Sequence, residues 1–90
     1  MPIEITVRVY TTLPEKLGWR VKKLVFDKEP SVRDVLEKLP DLARAIEEYE
    51  EKGYAPIIMI NGRRIEFLNG LNTLLKNRCE IDIFPPSAGG

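Results

Sequence analysis

At 90 residues, 43% hydrophobic and 31% charged, the chain has the length and balance of one small globular domain. Its 14 Lys and Arg residues offset 14 Asp and Glu residues, so no net field draws it to nucleic acid or to an anionic membrane. The absence of histidine and the presence of a single cysteine, Cys79, exclude histidine-based nucleophiles and metal sites, internal disulfides and thiolate clusters.

Ile3, Ile5, Val7 and Val9 alternate with Glu4, Thr6 and Arg8, which predicts a strand buried on one face. Residues 11–18, with Pro14 and Gly18, read as a loop. Residues 20–26 form a second β-prone run, in which Lys22-Lys23 interrupts the alternation. Ser31 followed by Asp34 marks a helix N-terminus, and Val32, Val35, Leu36 and Leu39 give the helix an apolar face. Pro40 interrupts it. Leu42, Ala45, Ile46 and Tyr49 then repeat the spacing until Gly53, while Glu47, Glu48, Glu50 and Glu51 form a solvated flank.

The continuous apolar run 57–60 predicts a central strand buried on both faces. Asn61-Gly62 predicts a hairpin turn with a return strand over 63–67, and Asn69-Gly70 marks another turn. In the last strand Cys79, Ile81 and Ile83 face inward, Glu80 and Asp82 outward. A hairpin, a crossover helix and three further strands suit an α+β, ubiquitin-like β-grasp fold: a mixed sheet of four to five strands packed on one main helix. The expected domain is 1–84, followed by a flexible tail over 85–90.

The longest apolar stretch, residues 55–60, is too short to span a bilayer, and Met1-Pro2-Ile3-Glu4 does not begin a signal peptide. A cytoplasmic setting is therefore expected. Pro85-Pro86 must end the last strand stiffly, because proline is fixed in φ and donates no ladder hydrogen bond. Beyond it stand only Ser87, Ala88, Gly89 and Gly90. Six extended residues reach roughly 20 Å, and a diglycine without Cβ atoms can thread a narrow channel.

The run CEIDIFPPSAGG over 79–90 resembles the C-terminus of the MoaD-type small subunit of molybdopterin synthase, and residues 60–73 resemble the longer, mostly archaeal branch of that family. The specific motif is the terminal Phe-Pro-Pro-x-Ala-Gly-Gly. The resemblance implies a sulfur carrier in molybdenum or tungsten cofactor biosynthesis, with no self-contained active site. A ubiquitin-activating-type enzyme, using ATP and magnesium, would adenylate Gly90, and a sulfur-transfer protein would convert it to a thiocarboxylate. Phe84, Pro85, Pro86, Ser87, Ala88 and Gly89 would dock into the large synthase subunit of a heterotetramer, where the sulfur passes to cyclic pyranopterin monophosphate. No cofactor, metal, nucleic acid or membrane is expected to bind this chain itself. The alternatives are a ubiquitin-like modifier joined through Gly90 to target lysines, or a carrier for tRNA thiolation or thiamine synthesis. Two features depart from the family pattern: Ser87 replaces an apolar residue, and the tripeptide Asn77-Arg78-Cys79 replaces an Asp-Gly-Asp/Glu turn.

Other residues read more plainly. Cys79 is expected to be a buried core thiol and Phe84 an outward-facing anchor beside the tail. Trp19 and Leu17 are expected to cap the core edge; Arg63, Arg64 and the lysines are expected on the solvated surface.

Overall fold

The alternation of the first segment becomes strand β1 (Ile3–Val9), which turns Ile5, Val7 and Val9 into the core. The structure, a computed structural model, describes residues 2–86. The other strands are β2 (Val21–Phe26), β3 (Ile57–Ile60), β4 (Arg63–Arg64) and β5 (Cys79–Phe84), arranged β2-β1-β5-β3-β4. β1 and β5 run parallel at the centre, and the remaining pairs are antiparallel. Helices α1 (Leu13–Leu17), α2 (Val32–Glu37) and α3 (Pro40–Glu51) supply the second layer of an α+β β-grasp fold. Val32, Val35, Leu42, Ala45 and Ile46 close the core against Ile5, Val7, Ile81 and Ile83. No buried residue in the described part is polar or charged, so the interior rests on apolar burial.

Local chemistry sets the helix ends. Ser31 Oγ accepts from the Asp34 N–H while the Asp34 carboxylate accepts from the Ser31 N–H, a complete capping box. α3 ends in a Schellman motif: the Tyr54 N–H donates to the Tyr49 carbonyl and the Gly53 N–H to that of Glu50, with Gly53 at φ +86°. Asn61 and Gly62 both take positive φ, as a type I′ hairpin between β3 and β4 requires.

Several expectations need correction. The segment expected to be a loop contains α1, with Pro14 in its first turn and Gly18 donating back to the Pro14 carbonyl. The break at Pro40 is as expected: Pro40 begins α3 instead of continuing α2, so the apolar layer comes in two helical segments. β3 is not buried on both faces. It lies one strand in from the edge, so Ile58 and Ile60 are buried while Ile57 and Met59 are half-buried on the open face. The expected return strand stops at Arg64, where the chain curls into a 3-10 turn (Ile65–Phe67) that buries Ile65. β2 is an edge strand. Its Leu24 and Phe26 are half-buried, Val21 and Val25 are exposed, and the Lys22 ammonium sits 5.3 Å from the centre of the Trp19 ring.

Trp19 and Leu17 pack against the margin of the core, as expected. The Trp19 indole N–H donates to Asp41 at 2.8 Å. Partial burial pushes the Asp41 carboxyl pKa upward, but the hydrogen bonds from Trp19 and the Leu42 N–H outweigh it and hold the pKa below its ordinary value.

Candidate functional site at the end of the central strand

β5 is the strand that delivers the tail. Alternation turns Ile83 inward and leaves Phe84 half-buried on the open face. Phe84 does not stand alone there. Its ring stacks on that of Tyr10 with centroids 4.4 Å apart and planes inclined by 13°. Tyr10 also donates its backbone N–H to the Ile83 carbonyl at 3.0 Å and its hydroxyl to Asp82 Oδ1 at 2.8 Å. One residue just past β1 thus grips the last three residues of β5 through hydroxyl, backbone and ring.

The electrostatics of this end are simple. The hydrogen bond to Asp82 is the largest influence raising the Tyr10 hydroxyl pKa, because ionising the phenol would forfeit the donor and set two anions side by side. Ile57 lies opposite Phe84 and Met59 opposite Asp82 in the β3–β5 register, extending a half-buried apolar surface around the tail root. Pro85 and Pro86 leave this surface, both half-buried. Ser87, Ala88, Gly89 and Gly90 lie outside the described residues.

Cys79 sits at the opposite end of β5, 5% exposed in the core. Burial raises its thiol pKa, which makes it a poor nucleophile. Among the described residues no cluster of three or more acidic, cysteine or histidine side chains could share a metal ion, and no helix is long and apolar enough to cross a membrane. The described end of the tail can present and orient; it holds no acid, base and nucleophile in one place.

The model of the ThiS family matches residues 7–90. The chain belongs to that family. The ThiS-family chain is 33% identical over 98 aligned positions to small archaeal modifier protein 3 of Haloferax volcanii, a match covering 98% of this chain and 100% of the other. Its fold matches the solution structure of small archaeal modifier protein 1 from Methanosarcina acetivorans at a TM-score of 0.74 and 35% identity, covering 100% and 99% of the two chains. A Pyrococcus furiosus structure named for subunit 1 of molybdopterin converting factor matches at a TM-score of 0.71, covering 94% and 99%, but at 21% identity it speaks to the fold alone. The chain is therefore a ubiquitin-like β-grasp protein of the sulfur-carrier and modifier superfamily.

Of the expected site residues the structure describes Phe84, Pro85 and Pro86, all half-buried at and just beyond the end of β5; the rest lie outside the described residues. Sequence reading missed Tyr10, Ile57 and Met59. Extending the β1 alternation past Val9 puts Tyr10 on the open face, a signal that was available. Its bond to Asp82 spans 72 residues and leaves no local trace.

Proposed function

We propose that this protein is a ubiquitin-like modifier, activated at the Gly90 carboxylate and joined through it to lysines of target proteins. The observation that carries the reading is the 33% and 35% identity, over essentially the whole chain, to proteins named as small archaeal modifiers. A C-terminal carboxylate has an ordinary pKa of about 3.3–3.7, so at neutral pH it is an anion and a poor electrophile. An adenylating enzyme using ATP and magnesium converts it to an acyl-adenylate with release of pyrophosphate. A neutral lysine Nζ then attacks the acyl carbon, AMP leaves, and the nitrogen loses a proton as the amide forms. Phe84, Pro85, Pro86, Ser87, Ala88 and Gly89 supply the docking arm, and Tyr10 sets its direction at the root.

The terminal Phe-Pro-Pro-x-Ala-Gly-Gly motif favours a second reading through the same adenylate. There a persulfide on a sulfur-transfer protein attacks the acyl carbon and AMP leaves. A second thiol then cleaves the acyl disulfide, so that the two thiols end as a disulfide and the tail as a thiocarboxylate. The large subunit of molybdopterin synthase accepts the tail and passes its sulfur to cyclic pyranopterin monophosphate. One assay separates the two. The chain is incubated with a cognate adenylating enzyme, ATP, magnesium, a sulfur donor and a cell extract, then analysed by intact mass and by peptide mapping of target lysines. Isopeptide-linked tails on targets, absent when Gly90 is deleted, are the expected result. Exchange of one tail oxygen for sulfur without conjugates supports the carrier. A terminus left as a free carboxylate, with an enzyme that loads another carrier, overturns both.

A further inference from the structure

The connection from β4 to β5 uses two 3-10 turns, Ile65–Phe67 and Gly70–Asn72, and carries the two most exposed large apolar side chains among the described residues. Phe67 is 74% exposed and Leu74 63% exposed. Leu74 and Leu68 line a shallow groove whose other lining side chains include Arg63, Lys76 and Arg78 and no carboxylate. Arg63, Lys76 and Arg78 make no ion pair among the described residues. In a chain with 14 charges of each sign, three unpaired cations around two leucines are a local concentration, not a reflection of net charge.

Arg78 adds an independent pointer. It adopts φ +68°, in the left-handed region that suits glycine, and its backbone is fixed there. Its N–H donates to the Glu4 carbonyl at 2.8 Å, and the Asn77 side chain accepts from the Glu4 N–H at 2.8 Å. A strained residue that places a guanidinium on the rim of an apolar groove is a common mark of a functional surface.

We infer that the groove at the start of β5 is a docking site for an acidic, leucine-bearing segment of a partner protein. The leucine side chain would enter between Leu68 and Leu74, and flanking carboxylates would meet Arg63, Lys76 and Arg78. A floor of aliphatic side chains suits an aliphatic anchor better than a stacked nucleobase, which needs a run of aromatic faces. The groove opens at one end of β5 and the tail leaves from the other, about 17 Å along the strand. A bound partner therefore leaves the tail free to react, and the surface serves whichever chemistry the tail performs.

The test is an amide chemical-shift titration of the full chain with a synthetic peptide, DDLLDE, and with its serine counterpart, DDSSDE. DDLLDE is expected to shift residues between Arg63 and Cys79 and to leave Tyr10 and Phe84 unmoved. The Arg63→Glu/Lys76→Glu double variant should bind about tenfold more weakly, and Arg78→Gly about threefold more weakly while folding at least as well. Equal binding of DDSSDE, tighter binding of a short oligouridylate at the same residues, or no shift at millimolar peptide would each overturn the proposal.

Discussion

The two ends of β5 are built on opposite plans. At the tail end, Phe84, Tyr10, Ile57 and Met59 form a half-buried apolar surface, and the exit is stiffened by stacking and by two prolines. At the other end, the turn carries a left-handed Arg78, unpaired cations and exposed leucine and phenylalanine side chains. One end is ordered by mutual contact among its own side chains. The other keeps its side chains available at some cost in backbone energy. The contrast teaches that a domain whose core offers no chemistry can still divide its surface between a rigid delivery point and a recognition face.

The sharpest way to break the contrast is to remove what both ends share. Ile81, 1% exposed between β1 and β3, anchors the middle of β5. Ile81→Ala should cost about 2–5 kcal/mol and collapse both ends in one denaturant transition. Phe84→Ala acts on the tail end alone. It should cost about 1–2 kcal/mol in denaturant melts and slow loading of Gly90 about tenfold, more than the folded fraction explains.

Arg78→Gly acts on the far end and in the opposite direction. Relief of the left-handed strain, less the extra entropy of an unfolded glycine, should stabilise the chain by about 0.5–1 kcal/mol. Combined with Phe84→Ala, the two effects should add within about 0.5 kcal/mol if the ends are independent. The smallest effect is a titration. Because Asp82 raises the Tyr10 pKa on folding, the stability from this pair is complete below the ordinary tyrosine value of about 10 and fades as pH rises through the folded value. Ultraviolet titration should show the step absent in Tyr10→Phe lying at higher pH than in Asp82→Asn.

Much of the frame was legible because it is written in local chemistry. The alternation of Ile3 to Val9, the Ser31/Asp34 cap, Asn61-Gly62 and the Gly53 stop each act within a few residues, and each formed as read. The short α1 was not legible, since five residues are too few to show a helical period, although Pro14 and Gly18 stood at its two ends. The continuous apolar run of β3 misled because Ile57 and Met59 serve the open face beside the tail instead of a second buried layer. At the far end the odd residue was visible, Arg78 in place of a turn glycine, but its left-handed backbone is set by the hydrogen bond to Glu4, on a strand at the other end of the chain. The site was least legible where it depends on tertiary pairing. Phe84 could be assigned to the outside from alternation, but nothing near it in sequence announces Tyr10.

The burial of Cys79 has a practical consequence for any chemistry at the tail. With the chain's one thiol enclosed and its pKa raised, sulfur installed at Gly90 would face no competing thiolate from its own domain. Burial and the raised pKa disfavour both an internal disulfide that would cap the cargo and transfer of the acyl group to Cys79 as a thioester. An alkylating reagent applied to the folded protein at neutral pH would accordingly report the state of the tail, with the core silent until the domain unfolds.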